Sequence, residues 1–172
     1  MGGLIRRVAF PRVFCPLSAM VAHTTNLVAS LLFLGALMAY YRVELTLQAL
    51  WIVPLLLVTA ALALGLGLLA SALNVYTRDV RTLVALAVQI WFFGTPIFYP
   101  LSMVEGPLAR HGLLTLYKLN PMLHIVEGLR AALLRGEAPG IGLAAAAGLA
   151  VALLAVGLAV FTRLERNFAD VV

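Results

Sequence analysis

Four long apolar blocks, separated by polar breaks, run along this chain. They cover roughly residues 17–41, 50–73, 82–100 and 141–161. A helix of about 20 residues, rising about 1.5 Å per residue, crosses a hydrocarbon core of about 30 Å. Inside that core each backbone amide needs a partner within its own segment, which favours helices. Strands of a membrane barrel would alternate apolar and polar residues at period two, and these blocks do not alternate. The pattern predicts an all-α integral membrane protein with about four transmembrane helices in a single domain over residues 1–172.

The breaks refine this picture. His23, Thr24, Thr25 and Asn26 form a polar patch in the first block, while Tyr40, Tyr41 and Arg42 mark its far interface. Trp51 opens the second block as an interfacial anchor would. Residues 74–81 are polar, and the third block ends in Trp91, Phe92, Phe93, Phe98 and Tyr99, with Pro96 inside it. Four crossings put both ends on one side. That side carries Arg6, Arg7, Arg12, Arg78, Arg81, Arg163 and Arg166, against Arg42, Arg110, Lys118, Arg130 and Arg135 opposite. The positive-inside rule then places both termini in the cytoplasm.

Residues 101–140 are mixed and behave differently. Asn120 can cap a helix whose first residue is Pro121, where a missing N–H is harmless. Met122, Ile125, Val126, Leu129 and Leu133 recur at helical spacing, Glu127 and Arg130 can pair on the other face, and Gly136 suits the exit. This helix is too short to span, so the region is expected to form an outer interfacial or re-entrant hairpin, with residues 107–118 as its other limb. A re-entrant hairpin needs protein or a water-filled path beside it, which hints at a pore or gate. Small residues recur four apart at Ala144, Gly148 and Ala152, at Ala61 and Gly65, and at Ala63 and Gly67. Such faces permit close helix contact, within one chain or between two.

Composition agrees with the blocks. Of 172 residues, 63% are hydrophobic and 11% charged, too few polar groups to cover a water-soluble surface. The net charge of +5 reads as membrane-flanking arginine rather than a nucleic-acid stripe, since no basic face with interleaved aromatics occurs. The single cysteine, Cys15, excludes an internal disulfide. The apolar run after Arg6, Arg7 and Arg12 is longer than a signal-peptide core, so it is read as a span.

Most site chemistry fails on inspection. Lys118 is the sole lysine, and it lies outside any phosphate-binding Gly-x-x-x-x-Gly-Lys frame, so this chain does not hold ATP in that way. No serine stands in a Gly-x-Ser-x-Gly frame, and His23, His111 and His124 are scattered, which argues against a protease or a metal site. His23 can relay protons or contact substrate, or it can be a near-interface residue bonded to a neighbouring helix. The third-block aromatics can be lipid-facing bulk, or rings on which sugars stack. Glu127 and Arg130 can be a structural pair or a gating one.

Several stretches taken in order resemble one family. Residues 4–12 (LIRRVAFPR) followed by 16–18 (PLS) are similar to the cytoplasmic coupling segment of type-two ABC exporter permeases. Residues 71–81 (SALNVYTRDVR) resemble their signature loop, 89–100 (QIWFFGTPIFYP) the following span, and 119–122 (LNPM) with 127–130 (EGLR) the outer re-entrant region. The resemblance runs from residue 4 to about 166 and is nearest to permeases for polysaccharide, lipid-linked O-antigen, capsule or teichoic acid.

The resemblance implies a transport subunit that is not itself an enzyme, moving a cell-surface glycan across the inner membrane. It implies a homodimer that binds separate ATPase subunits, with ATP and Mg held by those partners and no cofactor on this chain. Residues 1–16, and Arg6, Arg7, Phe10, Pro11 and Arg12 in particular, would dock on the ATPase. Asn74, Arg78, Asp79 and Arg81 would sit at the cytoplasmic mouth, and Trp91, Phe92, Phe93, Phe98 and Tyr99 would line the substrate path. Asn120, Pro121, Glu127 and Arg130 would form the outer gate. Members usually carry two spans ahead of the coupling segment. This chain begins at that segment, so those two spans are expected to be missing from it. The competing expectations are a permease for a drug or other small amphiphile, and a membrane scaffold with no transport role.

Overall fold

The computed structural model describes residues 14–76 and 79–165. Arg6, Arg7, Phe10, Pro11, Arg12 and Arg78 lie outside the described residues. Among the described residues all regular structure is helical. The helices are α1 (Phe14–Tyr40), α2 (Ile52–Tyr76, entered through a 3-10 turn at Leu47–Trp51), α3 (Val80–Gly94), α4 (Leu101–Arg110), α5 (Leu114–Lys118), α6 (Pro121–Arg130, continued by a π turn at Ala131–Arg135) and α7 (Gly142–Glu165). Two stretches, Leu47–Val75 and Gly142–Leu164, are long and apolar enough to cross a bilayer by length and composition. Thr24–Tyr40 and Val80–Gly94 are shorter apolar helices.

The centre of the fold is the seam between α2 and α7. Leu55 and Leu62 pack with Ile125, Leu143, Ala146 and Ala150 at one end, and Leu68 and Ala72 pack with Phe161 at the other. Residue numbers rise together along the seam, so the two helices run in the same direction. That is the arrangement expected if α3 crosses between them in the opposite sense.

Glycine brings the backbones together. A Cβ on Gly65 would stand 2.6 Å from the Leu154 amide nitrogen, and one on Gly157 would stand 2.6 Å from the Gly65 carbonyl oxygen. Of the small-residue faces in the sequence, Ala61–Gly65 is therefore an intrachain contact. Gly148 meets nothing within 4 Å where a Cβ would stand, and Ala144, Gly148 and Ala152 are all exposed. The small residues of α7 that pack inward are instead Ala146, Ala150 and Gly157.

Helix α6 closes one end of the seam. Leu55 reaches Gly128, where a Cβ would meet the leucine Cδ2 at 2.9 Å, and a Cβ on Gly142 would collide with the His124 ring. The helix leaves through Gly136 at φ 66, a left-handed position that glycine takes without strain and that sits against Thr46.

The third block departs from its expected length. Helix stops at Gly94, not at residue 100. Thr95 is extended (φ −98, ψ 138) because it precedes Pro96, whose ring disfavours the helical conformation of the residue before it. Pro100 then starts α4, a break the hydropathy alone does not register. Residues 101–140 likewise resolve into α4, α5 and α6, with Gly112 at φ 67 breaking the first from the second.

Candidate functional site

The interrupted end of α3 is where the side chains of several elements converge. A helix that stops inside an apolar environment leaves carbonyls without partners, and each needs a donor. Thr95 Oγ1 donates to the Trp91 carbonyl at 2.9 Å, and the Ile97 amide donates to the Thr95 carbonyl at 2.7 Å. The Ile97 and Tyr99 carbonyls accept from the two Nη atoms of Arg130 at 2.7 and 3.2 Å. The guanidinium reaches them from α6, one turn beyond Glu127, whose Oε1 also accepts from Arg130 at 2.7 Å. The predicted Glu127–Arg130 pair is present and half-buried, and it is tied to the segment beyond α3 rather than standing alone.

Asn120 joins the same place from the other side. It caps α6 as its sequence position suggests, accepting the Met122 amide on Oδ1 at 3.0 Å, with Pro121 at the first helical position. The same oxygen accepts the Trp91 indole N–H at 2.8 Å, and the amide nitrogen donates to Thr95 Oγ1 at 3.0 Å. One side chain thus links α3, the break and α6.

The aromatics divide. Trp91 and Phe92 border a groove of about 400 Å³ between α2 and α3, which Leu62, Leu66, Val84 and Val88 also line. Phe92 stacks edge-on against both Phe93 and Phe98, with ring centroids 5.5 and 5.3 Å apart, and those two rings are exposed. The Tyr99 hydroxyl donates back to the Phe93 carbonyl at 3.2 Å and shares a second 3.2 Å hydrogen bond with the Tyr117 hydroxyl. Burial first, then Tyr99 through its hydrogen bond and its proximity, raises the Tyr117 phenol well above its ordinary range, so it stays protonated. At the opposite end of α3, Asp79 occupies the cap position without a side-chain cap bond, and Asn74, Asp79 and Arg81 are exposed.

A second, polar pocket of about 390 Å³ opens beside α6, lined by Lys118, His124, Glu127, Arg135 and Glu137 among others. Its charges are matched internally. Arg135 meets Glu127 at 3.5 Å and Glu137 at 3.4 Å, and Lys118 meets Glu105 at 3.3 Å. His124 Nε2 lies 2.8 Å from the Lys118 carbonyl. Among the described residues no group of three or more His, Cys, Asp or Glu side chains is placed to hold a metal ion.

Sequence reasoning missed Thr95, Tyr117 and Arg135. Thr95 is almost wholly buried at 2% exposure, and its signal was the Thr-Pro step itself, which marks an extended residue with a hydroxyl to spare. Tyr117 and Arg135 carried no such signal, because their partners Tyr99 and Glu127 are distant in sequence or one of several choices. The buried face of α6 also includes Leu123, which the helical spacing did not single out.

The model of the ABC-2 type transporter family matches residues 5–134. This chain belongs to that family. Across 168 residues it is 30% identical to the O-antigen export system permease protein RfbA of Myxococcus xanthus, an alignment covering 97% of this chain and 64% of the relative. Two proteins of the same name from Klebsiella pneumoniae are 25% and 24% identical over 169 residues, 98% of this chain and 63% of each. The chain therefore spans a little under two thirds of the length of these relatives. No solved structure matches it. Family membership and the apolar helices together make this an integral membrane protein, helical throughout the regular structure of its described residues.

Proposed function

We propose that this chain is a membrane-spanning permease subunit of an ATP-driven ABC exporter that moves cell-surface polysaccharide or lipid-linked glycan across the inner membrane. The observation that carries the reading is its likeness, over 97% of its length, to a protein named as an O-antigen export system permease. The geometry is compatible with that role. A broken span ends in aromatic rings beside a groove, and sugars stack on such rings.

In this reading the chain crosses the membrane four times with both termini in the cytoplasm, and it works as a homodimer. Residues 101–140 form the outer re-entrant hairpin. ATP and Mg belong to a separate ABC ATPase that docks on Arg6, Arg7, Phe10, Pro11 and Arg12. Asn74, Arg78, Asp79 and Arg81 border the cytoplasmic mouth. Trp91, Phe92, Phe93, Phe98 and Tyr99 flank the path, and Asn120, Pro121, Glu127 and Arg130 govern its outer end.

Deleting the gene and measuring glycan on the cell surface tests the cargo. The expected result is loss of surface glycan with accumulation inside, and unchanged glycan with altered drug sensitivity would replace this cargo by a small amphiphile. Affinity purification of the tagged chain tests the partner. An ATPase subunit is expected to copurify and to be lost when Arg6, Arg7 and Arg12 are all changed to alanine, and retention after that change would remove the docking assignment.

A further inference from the structure

Helix α3 is held unequally along its length. From Arg81 to Ile90 every residue is exposed, and α3 has no buried residue at all. Directly beyond it, Thr95 and Pro96 are fully buried. The polar bonds follow the same gradient. Those described above, from Trp91, Thr95, Ile97 and Tyr99 to Asn120 and Arg130, all lie at the carboxyl-terminal end. The residues that receive them sit on α6, which is packed against both α2 and α7. Between α2 and the rest of α3 lies the groove, bordered by Ala70 and Val84 at the far end and by Trp91 and Thr95 at the bonded end.

A rod bonded at one end and exposed along the other has one easy motion. We infer that Asn120 is a positioning residue that fixes the outer end of α3 to α6, making it a fulcrum about which the amino-terminal end of α3 swings across the groove toward and away from α2. Asn120 is suited to this because its single amide engages the indole, the Thr95 hydroxyl and the α6 amino terminus together, so the three can move only as one body. Arg130 supports it by holding the carbonyls of the broken segment. The break at residues 95–99 then travels with α6 and is not itself the hinge. The inference deepens the transport reading, on which it rests for its purpose. The mechanics rest on the contacts alone and are measured without cargo or ATPase.

The test uses the full chain in lipid nanodiscs with Cys15→Ser. Nitroxide pairs are placed at Ala70 and Val84, across the free end, and at Ala63 and Phe92, near the bonded end. Each sample is diluted with unlabelled chain so that only intrachain pairs broaden the spectrum. The Ala63–Phe92 pair is expected to give one narrow separation and the Ala70–Val84 pair a spread at least twofold wider. Trp51→Phe leaves Trp91 as the one tryptophan of the two in the chain, reporting the Asn120 bond by its emission. Asn120→Ala is expected to shift that emission, to raise acrylamide quenching about twofold, and to widen the near pair toward the far one. Asn120→Asp keeps the acceptor for the indole and is expected to restore the emission, while losing the donor to Thr95 and restoring the near pair only in part. Thr95→Val, which removes that same link without touching Asn120, is expected to reproduce the partial loosening. Equal widths for the two pairs in the unmodified protein would overturn the fulcrum. So would a near pair left unchanged by both Asn120→Ala and Thr95→Val. A normal pattern here beside unaltered surface glycan on gene deletion would sink the cargo and leave the mechanics standing.

Discussion

Helix α2 meets α7 and α3 in opposite ways. Against α7 it presents Gly65, and the two backbones approach until no side chain fits between them. Against α3 it presents Ala63, Gly67 and Ala70, and a groove of about 400 Å³ remains. Glycine occurs on both faces, so small residues by themselves do not create contact. What differs is the partner. Helix α7 brings Gly157 against Gly65 and sets Ala146 and Ala150 under Leu55 and Leu62, whereas α3 brings the larger Val84, Val88 and Trp91 to the border of the groove. In a bilayer, where helix association draws on packing rather than on escape from water, that distinction separates a fixed seam from a loose one.

The sharpest way to break the comparison is to put the same side chain on both faces. Gly65→Leu drives a Cβ into the backbone of Leu153 and Leu154, which cannot yield without separating the helices. Overpacking of this kind typically costs about 1–3 kcal/mol, and backbone collision lies at or beyond the upper end. The expected outcome is loss of monodisperse protein in detergent, or a large fall in Tm. Gly67→Leu, two residues along on the open side, has nothing within 4 Å and is expected to leave Tm nearly unchanged. Similar damage from both would mean that the groove is filled in the working assembly.

Next in size is Arg130→Ala. Its removal leaves the part-buried Ile97 and Tyr99 carbonyls without their donor; a fully buried orphaned acceptor costs about 1–3 kcal/mol, and these cost toward the lower end. Arg130→Lys supplies one compact donor where the guanidinium fork served three acceptors, so it is expected to recover less than half of the loss. Thermal unfolding of the two variants side by side measures this. Full recovery by lysine would show that charge, and not the fork, is what the broken segment needs.

Much of this was readable in the sequence, for physical reasons that differ from place to place. The Asn120 cap, Pro121 at the first helical position, the Glu127–Arg130 pair and Gly136 at the exit are all local signals, and each is present. The family resemblance was carried by short motifs in order, and the family model matches across them. The end of α3 was misjudged because hydropathy is blind to conformation. Residues 95–100 are apolar enough to extend a span, but two prolines forbid the helix. The exposure of Ala144, Gly148 and Ala152 was not legible either, because Ala146 and Ala150 offer an equally small face and only the packed α2 chooses between them. The union of Trp91, Thr95 and Asn120 spans up to 29 residues of sequence, and no periodicity announces a contact of that kind.

A smaller effect sharpens the loose side. Ala70→Leu adds an aliphatic side chain where α2 and α3 stand apart. Filling apolar space without strain is worth about 0.8 kcal/mol per methylene at most, and less where lipid already covers the site. A gain below about 1 kcal/mol in unfolding free energy is expected, with narrower separation across the groove. A loss instead would mean that α3 closes fully onto α2 in a populated state, leaving no room for the added carbons.

The smallest effect is expected at Lys118, and it isolates why Arg130 matters. Both are cations of residues 101–140, and both meet a glutamate. Lys118 stands 3.3 Å from Glu105 with side chains 46% and 41% exposed, while Arg130 stands 2.7 Å from Glu127 at 24% and 22% and reaches two backbone carbonyls besides. An exposed pair is screened by water and salt and contributes about 0–1 kcal/mol. A double-mutant cycle of Lys118→Ala with Glu105→Ala is therefore expected to give a coupling below about 1 kcal/mol that fades in high salt. The matching cycle at Arg130 and Glu127 should keep more of its coupling in the same salt, because that pair is less exposed to the screening ions, while the loss of a donor by the Ile97 and Tyr99 carbonyls occurs in both arms and cancels. Equal salt sensitivity at the two pairs would place Arg130 in open water and undo its role as the anchor of the broken segment.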